Sequence, residues 1–193
     1  MSDTVAPAAP ATDTHRTALR RTLTSLYVGA ASAVALAGLA FVPTSTDDAD
    51  FHHLGDYALT ALGIPTVLAV ATLLPALRAL QDRRDGRLGI AGIVATCVGA
   101  FVLTAMFVYG LIAASGSSLG PTYVLASAAM DLGVVLFAIG SWRAGSVPRW
   151  LLVAWPLAWI IGGLLPFLPL PSPLLLAAAY LAMALTLPRR ATS

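Results

Sequence analysis

Two residue types are missing altogether and a third occurs once. There is no lysine and no glutamate: all eleven basic residues are arginine and all nine acids are aspartate. Without a lysine amine the chain cannot form the Schiff base that retinal or pyridoxal chemistry requires. Cys97 is the single cysteine, so an intrachain disulfide is impossible, and its place inside an apolar run marks it as packing. Charge of either sign is scarce. Only 10% of the 193 residues carry it, where a soluble domain carries roughly 25%. Phosphate loops are missing as well, because the glycines from Gly110 to Gly120 are not followed by a lysine. No Ser-His-Asp set can be assembled at one depth, since the histidines and the central acid Asp131 fall half a bilayer apart.

What is present is apolar. Hydrophobic residues make up 58% of the chain and the mean hydropathy is +0.84. Together these predict an all-α polytopic membrane protein whose principal partner is the lipid bilayer. A pI of 9.0 could suggest nucleic acid, but the arginines stand at helix ends and form no basic face, so nucleic acid is not an expected partner. The exclusive use of Arg and Asp, with the heavy load of Ala, Leu, Gly and Pro, is the mark of a high-GC genome. It says nothing of function.

Read along the chain, Met1 to Arg21 is a polar, Pro- and Ala-rich tail with no apolar period, expected to be disordered and to end on Arg16, Arg20 and Arg21. Six apolar runs follow within 22–188, at about 23–42, 56–77, 88–113, 122–141, 149–168 and 170–187, and 189–193 closes the chain as a second tail. The first run, with its basic lead-in and Ala37-Gly38-Leu39-Ala40, resembles a signal peptide. Its length and the even number of spans it completes favour an uncleaved helix. Pro65 and Pro156 predict kinks, the first by freeing the carbonyl of Ala61. Gly92, Thr96 and Gly99 recur at helical spacing and predict a face where another helix approaches closely. Ser172-Pro173 reads as N-cap and first turn of the last helix, with a start near Leu168 available to lengthen it.

The arginines orient the spans. All eleven fall in the N-terminal tail, the second-to-third loop (Arg78 to Arg87), the fourth-to-fifth loop (Arg143, Arg149) and the C-terminal tail. The opposite side has none, and holds Asp47, Asp48, Asp50, Asp56, His52 and His53. By the positive-inside rule the expectation is a cell inner (plasma) membrane protein with both termini cytoplasmic.

Asp131 is the one acid inside an apolar run. In a helix it lies ~15 Å from Pro121 and ~18 Å from Arg143, which puts its carboxyl near the midplane of a ~30 Å hydrocarbon core. An acid there costs about 2.5–3.5 kcal/mol on insertion scales, so it should face the bundle interior. Burial away from cations favours its neutral, proton-donating form. Candidate hydrogen-bond partners at the midpoints of other runs are Ser32, Thr66, Thr104, Trp159 and Tyr180, with Ser127 one turn away on the same helix. Two readings stand side by side: a protonatable or substrate site, and a neutral carboxyl that ties helices together.

Two weaker patterns accompany it. In the external loop, His52, His53 and Asp56 fall within one helical turn and could ligate a divalent transition metal, although the spacing matches no compact zinc motif. A polar loop with Asp50 as helix cap accounts for the same residues. Trp155 and Trp159, four apart, could form an aromatic wall for a lipid or isoprenoid, or simply pack in the core. Arg83, Arg84 and Arg87 could meet anionic headgroups. No cofactor is expected.

Three segments carry a resemblance: Phe51-His52-His53-Leu54-Gly55-Asp56-Tyr57, Arg83-Arg84-Asp85-Gly86-Arg87-Leu88-Gly89, and Arg143-Ala144-Gly145-Ser146-Val147-Pro148-Arg149-Trp150. Through them the chain resembles small multi-pass membrane proteins of high-GC bacteria that are grouped without an assigned activity. The resemblance implies a membrane bundle, implies no chemistry, and transfers no site residue. Function therefore remains a choice among three expectations: a small proton-linked transporter using Asp131, an intramembrane enzyme acting on a lipid or isoprenoid with Asp131 as general acid, or a non-catalytic partner of another membrane protein or of itself.

Overall fold

The computed structural model describes residues 11–44, 50–116, 120–145, 147–164 and 172–191. Six α-helices follow one another: α1 (Ala11–Gly38), α2 (Leu54–Leu80), α3 (Gly86–Ala113), α4 (Pro121–Ala144), α5 (Arg149–Leu164) and α6 (Ser172–Ala191). Three of them, α2, α3 and α4, are long and apolar enough to cross a membrane. α6 opens at Ser172, with Pro173 in its first turn. The segment around Leu168 lies outside the described residues. Both α2 and α5 run on through their prolines without interruption. In α2 the Thr66 hydroxyl next to Pro65 donates to the Leu62 carbonyl at 2.8 Å, the kind of side-chain bond that supports a proline-containing helix.

Each helix packs on its neighbours in sequence, and α1 packs on α6, so the six close into a ring. Neighbouring helices run antiparallel, as their short connections require. Ser25 of α1 shares a hydrogen bond with Thr72 of α2 at 2.9 Å. Gly63 of α2 lies under Phe107 of α3, and Tyr180 of α6 lies on Gly29 of α1. The tightest seam joins α3 to α4. A Cβ on Gly92 would stand 2.6 Å from both the Gly133 carbonyl oxygen and the Phe137 nitrogen, and one on Gly140 would stand 2.8 Å from the Asp85 carbonyl oxygen. Gly99 sits in the same way on Ala126 and Met130. The small-residue face expected on Gly92, Thr96 and Gly99 therefore exists, and α4 occupies it. That face is no longer open to an outside partner.

The opposite face of α3 is apolar and exposed. Ile90, Val94, Val98, Phe101, Val108 and Ile112 form one stripe at helical spacing, ~33 Å long at 1.5 Å per residue. That length is close to the ~30 Å of a hydrocarbon core, and an outward apolar band of this height is what a lipid-facing helix needs. Exposed Trp142 and Trp150 stand toward one end of the bundle, exposed Tyr57 and Tyr109 toward the other, the places where amphipathic rings suit a membrane interface. The Arg149 guanidinium lies 5.6 Å over the Trp142 ring.

The N-terminal boundary needs correcting. The tail expected through Arg21 becomes helical at Ala11, and the first helix ends at Gly38 rather than near Val42, passing into a 3-10 turn at Leu39–Phe41. The physical reason is a stripe that a hydropathy count underweights. Ala18, Thr22, Ser25, Leu26, Ala30, Ala33 and Ala37 are buried at helical spacing. The Thr22 hydroxyl satisfies itself on the Ala18 carbonyl at 2.9 Å, so small polar residues continue the packing face into a segment whose other side is charged.

Candidate functional site

Asp131 lies near the middle of α4 and is 8% exposed. It is turned from α3 toward α5, where the Trp159 indole supplies a side-chain hydrogen bond to its carboxyl. Its second oxygen, Oδ2, is buried without a hydrogen-bond partner. No charged group of the described residues acts on it. Two turns earlier on the same helix face, Tyr123 interacts electrostatically with Asp131 and hydrogen-bonds Ser127, which lies between them. The spacing of four residues aligns Tyr123, Ser127 and Asp131 along one edge of α4. Beyond Asp131 the same helix turns apolar: Val134, Phe137 and Ala138 are buried.

Two further aromatic residues are buried on α5 and α6. Trp155, one turn before Trp159 on α5, is fully buried and stands beside Tyr180 of α6. Neither the Trp155 Nε1 nor the Tyr180 hydroxyl makes a hydrogen bond of ordinary geometry. Both tryptophans are buried and face the interior of the bundle.

The remaining expected partners separate from Asp131. Ser32 donates to the Gly29 carbonyl at 3.1 Å and Thr66 to Leu62; each is spent on its own helix, and α4 packs on α3 and α5. Thr104 is half-buried, and its hydroxyl oxygen is enclosed without a partner. The α3–α4 register puts it level with Tyr123, about two turns from Asp131. The α3 hydroxyl at the depth of Asp131 is that of Thr96, against Gly133 and likewise unpartnered. Tyr180 stands beside Trp155 of α5 and lies on Gly29 of α1.

A second polar centre, absent from the expectations above, lies at the arginine-bearing end between α2, α3 and α4. Arg78 Nη1 donates to Asp85 Oδ2 at 2.7 Å, and the Asp85 side chain is fully buried. The Ser141 hydroxyl donates to Gln81 Oε1 at 3.1 Å, with both residues buried. The connecting turn carries Asp82 and Arg83 in left-handed conformation (φ 50 and 62), a strained backbone for non-glycine residues. The buried pair and the Gln81 anchor hold that turn. A signal existed in the sequence: Asp85 lies seven residues beyond Arg78 across the turn, and Gln81 is the chain's single glutamine. The positive-inside reading of the loop concealed both.

At the opposite end, the loop before α2 docks on the loop after α3. Phe51 N–H donates to the Ala114 carbonyl at 2.8 Å, and Asp50 forms an isolated antiparallel bridge with Ser115. The N-cap of α2 is His53, in place of the expected Asp50. Asp56 Oδ2 accepts the backbone N–H groups of His52 (3.1 Å) and His53 (2.9 Å), so this carboxylate serves the helix start. Among the described residues, no group of three His, Cys, Asp or Glu side chains is placed to hold a metal ion. Asp47 and Asp48 lie outside the described residues.

No family model matches the chain, and neither does any curated protein or solved structure.

Proposed function

We propose that this protein is a six-span inner-membrane protein with both termini cytoplasmic, working as a small proton-linked transporter in which Asp131 is the titrating group. The observation that carries the reading is a carboxyl buried in the middle of α4 with one unpartnered oxygen and no cation acting on it. The structural carboxyl of Asp85 also leaves one buried oxygen without a partner; what sets Asp131 apart is that no arginine stands beside it. Intramembrane acids facing a bundle interior are the usual seat of proton relays. Tyr123 and Ser127 lie on the same edge of α4 as Asp131, toward one end of the bundle, and polar side chains in that position would suit a proton path.

The finer topology rests on the distribution of arginine and on the closed antiparallel ring. A cysteine at position 84 in a Cys97→Ala background should react with a membrane-impermeant maleimide only from the cytoplasmic side, and a cysteine at 115 only from the other. The functional test is proton flux in liposomes loaded with a panel of small solutes. Wild-type protein should couple at least one solute to acidification, and Asp131→Asn should abolish that coupling. A variant with unchanged flux would overturn the reading.

A further inference from the structure

We propose that the corner between α4 and α5 binds an anionic phospholipid. Its phosphate meets Arg143 and Arg149, and its acyl chains lie along the two helices beside them. The proposal rests on the six-span membrane reading and is independent of Asp131. Arg143 stands in the last turn of α4, Arg149 opens α5, and both are exposed. The Arg149 guanidinium lies 5.6 Å over the Trp142 ring, a contact that orders a long side chain before any ligand arrives. No described residue accepts a hydrogen bond from either guanidinium or pairs with it through a carboxylate. Their N–H donors are unspent, and a phosphate is an acceptor that this fork geometry fits.

The charge is uncompensated where compensation is usual. Helix starts attract acids, yet the first turn of α5 holds Arg149 and no acid. The chain has no acid at all after Asp131. The α2–α3 turn at the same end of the bundle differs: its arginines share it with Asp82 and with Asp85, which takes Arg78.

The surface beside the guanidiniums fits the rest of a lipid. On α4, Leu132, Ile139 and Trp142 are exposed at helical spacing, as are Trp150, Val153 and Leu157 on α5. Each strip ends at the corner in an indole, a ring suited to headgroup level. From Trp142 to Leu132 the helix rises ~15 Å, half of a ~30 Å hydrocarbon core and so the depth of one leaflet. An acidic protein segment would meet the guanidiniums and leave both strips unused. The proposed topology puts the corner at the cytoplasmic leaflet, where anionic lipids attract arginine.

The test uses purified full-length protein in phosphatidylcholine nanodiscs, with tryptophan fluorescence as the readout. Increasing fractions of the lipid carry bromine on their acyl chains, either as phosphatidylglycerol or as phosphatidylcholine, and bromine quenches the tryptophans it approaches. Brominated phosphatidylglycerol should quench more strongly at equal mole fraction, because it gathers at Trp142 and Trp150. Arg149→Gln and Arg143→Gln should each lower the apparent affinity for phosphatidylglycerol about fivefold. Arg143→Gln is the second variant because Arg149→Gln also uncovers the Trp142 ring. Arg84→Gln, which removes the same charge from the α2–α3 turn, should leave the preference in place. Glycerol 3-phosphate in solution should not displace the lipid. Equal quenching by the two brominated lipids overturns the site. So does a preference that survives both variants, or one that falls as far in Arg84→Gln. Displacement by glycerol 3-phosphate would assign the arginines to a free phosphate and overturn the lipid. No quenching by either lipid would overturn the membrane placement itself, so the two failures are distinct.

Discussion

Asp85 and Asp131 are both almost wholly buried, at 3% and 8% exposure, and their surroundings are opposite. Asp85 has an arginine at 2.7 Å, and the Gln81–Ser141 bond that anchors the same turn is beside it. Asp131 has an indole where Asp85 has an arginine, and each leaves one buried oxygen without a partner. A buried charge is tolerated when its partner is built into the fold, and removing that partner is severe because the survivor stays buried. A buried acid without such a partner avoids the penalty by holding its proton. The first arrangement locks a turn. The second leaves a group that can change state.

The comparison breaks most sharply at Arg78. Arg78→Ala strands the Asp85 carboxylate and should cost about 3–5 kcal/mol, measured as loss of stability to unfolding in mild detergent. Asp85→Asn should cost less than Arg78→Ala, because the Arg78 side chain is partly exposed and can turn to water. Next comes the α3–α4 seam, which sets the rotation of α4. Gly92→Val drives a side chain into backbone at 2.6 Å, and overpacking of this kind costs about 1–3 kcal/mol. Rotation of α4 should then show as faster solvent exchange at Asp131. Ser141→Ala leaves Gln81 Oε1 unpartnered and should cost ~1 kcal/mol by the same unfolding assay, without touching Asp131. Smallest is Asp131→Asn, which keeps an acceptor for Trp159 and loses no ion pair. Its stability should stay within ~0.5 kcal/mol of wild type, while proton coupling is lost. A large destabilisation there would mean that Asp131 is structural, as Asp85 is.

Several parts of this arrangement were legible without coordinates. Six helices could be read from apolar runs, and the close approach at Gly92, Thr96 and Gly99 from spacing. The inward-facing acid followed from the cost of burying a carboxyl in lipid. Of the partners proposed for it, Trp159 lies against the carboxyl and Ser127 lies beside Tyr123, whereas Tyr180 stands beside Trp155 and on Gly29. Ser32 and Thr66 do not, because a hydroxyl in an apolar helix can satisfy itself on the carbonyl three or four residues back. Sequence position cannot distinguish that local bond from a long-range one. The start of α1 was missed for a related reason: its buried stripe is Ala, Thr and Ser, residues that pack by being small rather than by being apolar.

By itself the sequence determined the class of the protein, the run of helices and the separation of its arginines from one side of the chain, since each depends on local hydropathy and on counting. Only the tertiary structure decided which acid is paired and which is not. Pairing depends on which helices touch, and that follows from backbone approach at Gly92, Gly133 and Gly140, not from the acids themselves. Asp85, seven residues from an arginine across a turn, found its partner through chain geometry. Asp131 was left with an indole because α5 is the neighbour its face of α4 meets, and the one cation of α5 among the described residues, Arg149, lies at the other end of the bundle.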